Sequence, residues 1–514
     1  MSSPDPATQR SRPIRPVLIG ASQFSQRDVT LETAQNPLDM FVRIAREAAE
    51  ASGAGAGLLE SIDTIALTST AGWRAQNPPR LVADALGAKP RTEWVASIGG
   101  ETALGLVNDV ASQITRGETA LGYVAGCNNM KSLAMAQRAE TRMDWPEGGD
   151  GQPTIVGQSG SGSNDFEASA GLVMPINLYP LFENGLRHAR GQSLEEHRTA
   201  MGALMHPFTR TAAANPHAWF PTERSPEELV TPTPINRMIF FPYPKYLNAV
   251  LATEQAAGTL IASEEMAERL GVPREKWVYW RGGAIEIEDP WYVSERPSFA
   301  QTPALGTCHQ TALANSGIAL EDIDLIDFYS CFPIAVAMAT EMLGLDPADP
   351  RGFSITGGLP YAGGPGNSYS FHSLATAIDR LQNQEAETAL VTGNGWYLTK
   401  HSASVLAREP HPDGLAPSAA AATDATRMTW DAPPVELDPE PEGPARVETY
   451  TIGYDRDGTP NQGIIVGRLA SSNARFLANT PADPELLEAL EAQELIGTKG
   501  RVRQEAGKSI FDPA

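Results

Sequence analysis

Residues 322–370 read DIDLIDFYSCFPIAVAMATEMLGLDPADPRGFSITGGLPYAGGPGNSYS and decide the fold of this 514-residue chain. The stretch starts as a β-branched, apolar run that ends at Tyr329, Ser330 and Cys331. It continues as an apolar helical segment and finishes in a glycine-rich loop. A strand that ends where a helix begins, followed by such a loop, is where α/β proteins usually place their chemistry. The stretch therefore predicts an α/β fold and the position of a candidate site.

The helix, glycine and strand order that leads into this stretch occurs twice in the chain. Residues 312–330 (ALANSGIALEDIDLIDFYS) repeat the order of residues 48–69 (AAEASGAGAGLLESIDTIALTS). In the same way, ETALGYVAG from Glu118 returns as ETALVTGNG from Glu387. The alternative is that ordinary helix-to-strand junctions match by chance, but two matches in the same order favour a duplication into two α/β halves.

Hydrophobic patterning predicts the elements around this repeat. Strands are expected at residues 15–24, 61–67, 92–96, 119–125, 258–263 and 277–280. Helices are expected from residue 37, at residues 79–86 and 100–114, and, as short elements, at residues 180–190 and 194–209.

Composition then divides the chain into five parts. They are a first half at residues 15–127 and 249–295, an inserted loop domain at 128–248, a second half at 296–407, a linker at 408–443, and a small β-hairpin-rich domain at 444–514. The insert is rich in Pro, Gly, Asn and aromatic residues, and a long insertion of this kind usually caps a site. Residues before position 15 are expected to be disordered.

Charge and cysteine content exclude several classes of function. The formal net charge of −23 argues against nucleic acid as a partner, because binding to phosphates needs a basic face. Three cysteines form neither a disulfide framework nor a CxxC pair for zinc, and no metal-ligand cluster is visible, so no metal is expected. No apolar run is long enough for a membrane span. We therefore expect a globular protein of the cytoplasm without membrane insertion.

With these motifs, the chain resembles the thiolase superfamily, and in detail its sterol-carrier-protein thiolase-like branch. The C-terminal β segment resembles the OB-fold-like domain of some bacterial acetyl-CoA acetyltransferase-like proteins. The resemblance implies a duplicated thiolase fold with five αβαβα layers, an inserted loop domain and a small OB-like domain. It also implies an acyl-CoA thioester as substrate or ligand, no covalently bound cofactor, and a possible homodimer.

The site motifs depart from the family pattern. SIGGETALGLV resembles the nucleophile segment, with Ser97 where the family has a cysteine, and FYSCFPIA places Tyr329 where the family has Asn or His. GGLPYAGGPGNSY has Gly364 where a Gly-His-Pro triplet carries a catalytic histidine. TGNGWYLTKHS lacks the family's second cysteine. Ordinary thiolase catalysis, which needs a thiolate to carry the acyl group, is therefore not expected.

A serine nucleophile would need a dedicated base, because its hydroxyl is a far weaker acid than a thiol. The candidates for that base are His372 and His401, and each could equally be a structural histidine. Cys331 resembles a family cysteine that is not the acyl carrier. Cys127 and Cys308 are expected to be small buried hydrophobic residues.

The resemblance also implies chemistry that needs no thiolate, namely enolate stabilisation and proton transfer. Backbone amides after Ser97, at Gly99, and in the loop of Gly363, Gly364 and Asn367 could stabilise a thioester enolate. Tyr329 and Tyr361 could donate or remove a proton, as in thiolase-fold aldolases that use tyrosines and pair with a separate OB-fold protein. The alternatives are that Tyr329 packs the seam between the halves and that Tyr361 packs the hinge of its loop.

Arg237 and Lys245 are the candidates for binding the phosphates of coenzyme A. They lie in the aromatic segment NRMIFFPYPKYLN, which leads back into the core. The first predicted function is an acyltransferase or carbon–carbon lyase acting on CoA thioesters in lipid or sterol metabolism. The alternative is a non-catalytic acyl-CoA binding or scaffold protein. A third, weaker interpretation makes the OB-like domain a nucleic-acid binder, and the acidic balance counts against it.

Overall fold

The chain folds into a large mixed sheet, a small barrel and the helices that cover them, in a computed structural model that describes residues 13–412 and 425–514. Two expectations fall partly outside the described residues. The disordered start of the chain falls on residues 1–12, and the predicted linker includes residues 413–424.

The first half begins with four strands and three helices. Its elements are β1 (Pro16–Ser25), α1 (Pro37–Ala51), β2 (Thr64–Thr68), α2 (Pro78–Leu86), β3 (Thr92–Ala96), α3 (Thr102–Thr115) and β4 (Leu121–Asn128). Helix α1 begins at Pro37 because the Asn36 side chain accepts the amide of Asp39 at 2.9 Å and proline suits the first helical turn. Strand β2 pairs in parallel with β3 and β4.

The insert contains five helices and three short strands. They are α4 (Met130–Arg138), β5 (Thr154–Val156), α5 (Asp165–Ser169), α6 (Pro175–Ala189), α7 (Leu194–Ala214), α8 (Pro226–Val230), β6 (Met238–Phe240) and β7 (Tyr243–Pro244). The expectation of short helices here is wrong, because α6 has 15 residues and α7 has 21. The apolar face of α7 stays buried on both sides of Pro207, from Met205 to Ala212, so tertiary packing overrides the breaking tendency of the proline.

The chain then returns to the large sheet. The next elements are β8 (Gln255–Ser263), α9 (Glu264–Arg269), β9 (Val278–Asp289), α10 (Pro303–Ser316), β10 (Leu325–Asp327), α11 (Pro333–Leu343), α12 (Tyr369–Gln382), β11 (Thr388–Gly395), β12 (Lys400–Ala407) and β13 (Thr426–Thr429). The strand order is β10-β11-β12-β9-β1-β8-β4-β2-β3-β5, and β13 adds to β9. Strand β9 pairs along its length with β12 and with β1 only at Val17 and Leu18. The domain bounds given above stay a prediction.

The predicted duplication is visible in the sheet. The same order of pairings occurs twice, as β2-β4-β8-β1 and as β10-β11-β12-β9. In each run the first two strands are parallel and the two pairings that follow are antiparallel. The repeated aspartates accept equivalent hydrogen bonds. Asp63 accepts the amides of Ala120 and Leu121. Asp324 accepts the amides of Glu387 and Thr388. Each therefore ties the end of one strand to the start of its neighbour.

Helices α3 and α12 form the central layer between the two halves. Helix α3 of the first half contacts β12 and β9, and α12 of the second half contacts β1 and β8. One core cluster joins them, with Leu104 and Val107 of α3 and Phe371 and Leu374 of α12 all buried. This exchange of helices brings the start of α3 close to the second half, and it confirms the predicted duplicated thiolase fold.

The C-terminal segment closes into a five-stranded barrel. Its elements are β14 (Gly443–Tyr454), β15 (Pro460–Leu469), β16 (Arg475–Asn479), α13 (Pro484–Glu491), β17 (Lys499–Glu505) and β18 (Lys508–Pro513). Strand β14 pairs with both β15 and β17, β15 with β16, β17 with β18, and β16 in parallel with β18. A helix between the third and fourth strands of such a barrel is the OB-like order that the sequence predicts.

The barrel is fastened to the rest of the chain by buried polar contacts. Arg475 is fully buried, pairs with Glu448, and donates to the carbonyl oxygens of Ser294 and Arg296 at 2.8 and 2.6 Å. Strand β6 of the insert continues the barrel sheet, with Phe240 opposite Gly453. The insert therefore packs against the barrel on one side and the two halves on the other.

Candidate active site at the junction of the two halves

Tyr329 of the second half lies against the turn that starts α3 of the first half. A Cβ atom added to Gly100 would lie 2.3 Å from Tyr329 Oη and 2.4 Å from the carbonyl oxygen of Asn394. Only a glycine leaves this space open. The Tyr329 amide donates to Thr392 Oγ1 at 2.9 Å, which anchors the residue to β11. The motifs FYSCFPIA and SIGGETALGLV, far apart in sequence, therefore meet here.

The surroundings of Tyr329 keep its phenol protonated. Its side chain is almost wholly buried and stands edge-on to Tyr369, with ring centres 5.5 Å apart. Burial raises the pKa of Tyr329 well above its ordinary value, and the neighbouring Cys331, Glu101 and Tyr369 raise it further. At neutral pH the group can therefore donate a proton but is not a resident base.

The insert adds Tyr179 to this site, which sequence reasoning missed. The Tyr179 hydroxyl donates to the carbonyl oxygen of Trp396 at 2.9 Å and accepts from Asn394 Nδ2 at 2.9 Å. Asn394 Nδ2 also lies 3.9 Å from Cys331 Sγ. Burial raises the pKa of the Cys331 thiol to about 12, so it is not a thiolate nucleophile at neutral pH. A tyrosine in an aromatic insert carries no sequence signal for this role.

A buried ion pair holds the start of α3. Lys400 Nζ lies 2.5 Å from Glu101 Oε1, and both side chains are almost inaccessible to water. Lys400 Nζ also donates to the carbonyl oxygens of Ile98 and Gln158 at 2.8 and 3.2 Å. Burial raises the pKa of Glu101, and the Lys400 ammonium opposes that shift. The Lys400 ammonium therefore links strand β12 to the Ser97–Gly100 turn and to the insert. The segment TKHS carries no sequence signal that marks its lysine for this role.

Among the described residues, no general base is hydrogen-bonded to the Ser97 hydroxyl. Its hydroxyl donates to the carbonyl oxygen of Gln158 at 3.0 Å, and its amide donates to that of Val156 at 2.8 Å. A carbonyl oxygen cannot take the proton that a serine nucleophile must lose. Ser97 thus lies at the predicted place, at the end of β3, but its hydroxyl is bound as a structural donor.

The glycine-rich loop and the Ser97 turn meet through Asn367. The Gly99 amide donates to Asn367 Oδ1 at 2.9 Å, and Asn367 Nδ2 donates to the carbonyl oxygen of Ser69 at 3.1 Å. The Gly364 amide donates to the carbonyl oxygen of Val250 at 2.9 Å, and a Cβ at Gly363 would lie 2.2 Å from Gln255 Oε1. The predicted residues are brought together, but the amides of Gly99 and Gly364 bind protein oxygens in this conformation.

Tyr361 is buried, and its hydroxyl has no hydrogen-bond partner in the described parts of the chain. Its carbonyl oxygen accepts the amide of Phe220, so it packs against the insert. His372 faces β1, with Nδ1 3.0 Å from Gln23 Oε1. Burial lowers the pKa of His372 to about 3, helped by His217, so the ring is neutral. The contacts described for Tyr361 and His372 are therefore with the insert and with β1, and not with the Ser97 turn.

His401 lies on the opposite face of β12 from Lys400, because side chains alternate along a strand. Its Nε2 lies 3.4 Å from Thr302 Oγ1 at the start of α10, whereas Ser402 Oγ donates to the carbonyl oxygen of Glu101. Burial lowers the pKa of His401 well below its ordinary value, and His309 lowers it further. His401 is therefore buried beside Thr302 rather than placed with Tyr329.

Arg237 and Lys245 lie together on the hairpin of β6 and β7. The Lys245 amide donates to the carbonyl oxygen of Arg237 at 2.9 Å, and the Lys245 side chain is exposed. Within residues 13–412 and 425–514, neither side chain has an ion-pair partner. The segment that follows reaches the site, since the Ala249 amide donates to the carbonyl oxygen of Cys331 at 3.0 Å.

Two features are absent from residues 13–412 and 425–514. No group of three or more His, Cys, Asp or Glu side chains is placed to hold a metal ion. No helix is long and apolar enough to cross a membrane.

Comparison with known proteins gives the same architecture. Residues 426–507 match the family described as "Thiolase-like protein type 1 additional C-terminal domain". A monomeric SCP2-thiolase-like protein type 1 from Mycobacterium smegmatis superposes with a TM-score of 0.80 at 33% identity, over 97% of this chain and 99% of that one. The Ltp2-ChsH2(DUF35) aldolase superposes with a TM-score of 0.59 at 18% identity, over 77% of this chain and 98% of that one, which shows the shared fold alone.

A curated relative shares part of its sequence with this chain. The benzoylsuccinyl-CoA thiolase subunit BbsB of Thauera aromatica is 30% identical over 184 residues. The match covers 36% of this chain and 44% of that protein, so the chain spans less than half the length of this relative. The match over the full length to the mycobacterial protein, together with the C-terminal family, decides the assignment: this chain belongs to the SCP2-thiolase-like proteins of the thiolase superfamily.

Proposed function

We propose that this protein binds an acyl-CoA thioester and makes or breaks a carbon–carbon bond of its acyl group, with Tyr329 as the proton donor. The observation that carries the proposal is the position of Tyr329 Oη against Gly100, where a strand end of one half meets a helix start of the other. As the Cα–Cβ bond of a 3-hydroxyacyl thioester breaks, the neutral phenol protonates Cα, and the phenolate so formed takes the proton of the 3-hydroxyl group. A carbonyl product leaves and the phenol is restored, and the reverse reaction uses the same two proton transfers in the opposite direction.

Covalent acyl transfer is the less favoured form of this chemistry. The Ser97 hydroxyl donates to a backbone carbonyl, and burial holds the pKa of Cys331 at about 12. Neither group offers the activated nucleophile that an acyl-enzyme requires. A reaction by proton transfer at tyrosine needs no such nucleophile.

The name of one relative supports a CoA thioester as the ligand. The curated relative that matches part of this chain is a benzoylsuccinyl-CoA thiolase subunit. We propose Arg237 and Lys245 as the phosphate-binding residues, because both cations lack an ion-pair partner among the described residues and precede the segment bonded to Cys331. Lipid or sterol metabolism and a place in the cytoplasm remain proposals that follow from the family. The homodimer stays a prediction, and the mycobacterial relative is described as monomeric.

The test compares Tyr329→Phe with Tyr361→Phe on a panel of 3-hydroxyacyl-CoA thioesters. We expect Tyr329→Phe to lower kcat by about 10²- to 10⁴-fold, the usual range for a lost general acid. Tyr361→Phe should keep most of the activity, because the Tyr361 backbone binds Phe220 of the insert. Equal turnover by wild type and Tyr329→Phe would refute the assignment of the donor.

The second candidate is a non-catalytic acyl-CoA binding protein, and the ion pair at α3 favours it. The Glu101 carboxylate and the Lys400 ammonium fill the start of the helix, where a thioester oxygen would otherwise be stabilised. This candidate predicts a calorimetric signal for CoA that is lost in Arg237→Gln and Lys245→Gln, without turnover of any thioester in the panel.

A further inference from the structure

A cleft of about 420 Å³ separates the insert from the C-terminal barrel. Helices α6 and α7 and strand β6 form one wall, and helix α13 of the barrel forms the other. Its apolar lining consists of Leu194, Met201, Val230, Met238 and Phe241, with Pro232 and Pro242. The volume is in the range of sites that hold small organic molecules.

The charges around the cleft leave a negative excess. Arg187 pairs with Glu494 of the barrel, Arg198 with Glu195, and His197 with Glu183. In the described parts of the chain, no ion pair involves the two remaining carboxylates that line the cleft, Glu488 and Glu491. They lie three residues apart on α13 and so share one face of the helix.

We infer that this cleft binds an organic ammonium ion with an apolar body, held by Glu491 and Glu488 at its charged end. The Phe241 ring favours a cation over a neutral molecule of the same shape. The inference goes beyond the proposed thioester chemistry and does not depend on it.

The floor of the cleft is held in place by hydrogen bonds and an ion pair. Arg187 is only 1% exposed, donates to Glu494 through both terminal nitrogens, and donates to the carbonyl oxygen of Gln192 at 3.0 Å. Buried His197 bridges Gln192 and Glu183, at 2.9 and 2.5 Å. Because Glu494 pairs with the guanidinium through both terminal nitrogens, the carboxylates without an ion-pair partner among the described lining residues are those of α13.

Ligand binding at this site should depend on pH, because it is linked to the protonation of Glu491. Burial raises the pKa of Glu491 to about 7. The charged or titratable groups around it are Glu488 of α13, Glu494 after α13, Arg187 of α6, His197, Glu195 and Arg198 of α7, and Tyr450 of β14. A bound ammonium favours the carboxylate and lowers the pKa of Glu491, so binding strengthens as pH rises through 7. Between pH 6 and pH 8 the gain is about tenfold for one linked proton.

The experiment titrates the full chain with n-octylammonium chloride by isothermal calorimetry, with 1-octanol as the neutral control. We expect one site for octylammonium, a Kd about tenfold lower at pH 8 than at pH 6, and at least tenfold weaker binding of octanol. No binding of octylammonium at millimolar concentration, a Kd independent of pH, or equal binding of octanol would each overturn the inference.

Two substitutions on α13 locate the site. Glu491→Gln removes the charge without a change of shape, and we expect at least tenfold weaker binding at pH 8 with no dependence on pH. Glu485→Gln removes an exposed carboxylate from the first turn of the same helix and should leave both quantities unchanged. Equal effects of the two substitutions would mean general attraction to an acidic protein, and the site would then be rejected. Because acyl-CoA is absent from the assay, the result is independent of turnover at Tyr329.

Discussion

Lys400 Nζ lies 2.5 Å from Glu101 Oε1 in a buried ion pair that joins the second half of the fold to the first turn of α3. The same ammonium donates to the carbonyl oxygens of Ile98 and Gln158, so one side chain ties three segments together. Taking two charges out of water is costly, and the pair persists because each neutralises the other.

Lys400→Met should destabilise the protein strongly, because it leaves the Glu101 carboxylate buried without a counter-charge. We expect a loss of about 3–5 kcal/mol in the free energy of unfolding, measured by urea titration. The double variant Glu101→Leu with Lys400→Met removes both charges and should recover part of that loss. If the double variant were as unstable as the single one, packing rather than charge would explain the effect.

Gly100→Ala should disturb the site, because its Cβ would lie 2.3 Å from Tyr329 Oη and 2.4 Å from a backbone oxygen. Overpacking of this kind costs about 1–3 kcal/mol, and displacement of the phenol should also lower turnover.

The matched control is Gly105→Ala, within helix α3 itself. A Cβ at Gly105 would meet Ile285 at an ordinary 3.7 Å, and alanine favours the helix, so we expect a gain of up to about 1 kcal/mol. Thermal unfolding of the two variants measures the difference. Equal shifts of Tm would contradict the predicted contact between Gly100 and Tyr329.

Asp324→Ala should weaken the second half at the junction of β10 and β11. Its carboxylate accepts the amides of Glu387 and Thr388 at 2.8 and 3.1 Å, and these exposed amides would turn to water. We expect a loss of about 1 kcal/mol, the usual value of such hydrogen bonds. Asp322→Ala, at an exposed position two residues earlier, should change stability by less than about 0.5 kcal/mol. Chemical denaturation distinguishes the two, and a silent Asp324→Ala would refute the role assigned to the repeated aspartate.

Stability should fall in acid because His372 is buried as a neutral ring. Burial lowers its pKa from 6.5 to about 3, so below pH 6.5 the unfolded chain binds a proton that the folded chain does not. The stabilising contribution is complete above pH 6.5 and is lost as pH falls towards 3, at up to about 1.4 kcal/mol per pH unit.

His372→Gln should flatten this acid dependence, as measured by urea titrations at pH 7, 6, 5 and 4. The control, His188→Gln, changes an exposed histidine at the end of α6 and should leave the slope as in wild type. A slope unchanged by His372→Gln would mean that other buried groups cause the acid unfolding.

Local patterns in the sequence were enough to predict much of the architecture. Strand β3 has the predicted bounds, since a short apolar run between polar turns can be recognised without its neighbours. The repeated motifs at Asp63 and Asp324 indicated two halves because the same hydrogen bonds to the next strand require the same residues twice. Alternating strands and glycine turns indicated a small β-hairpin-rich domain at the C-terminal end, and the resemblance implied that it is OB-like.

Other features depend on which side chains meet in space. Asn394 donates to the Tyr179 hydroxyl across 215 positions of sequence, and no local pattern in the insert marks that tyrosine. On β12, the alternation of side chains sends Lys400 to the site and His401 to the opposite face, a choice set by the pairing of β12 with β9 and β11. The sequence by itself determined the two halves, the strand–helix junctions and the glycine loop, because these follow from periodicity and residue type. Only the tertiary structure decided which charges, hydroxyls and amides share the junction, because that depends on the register and packing of strands distant in the chain.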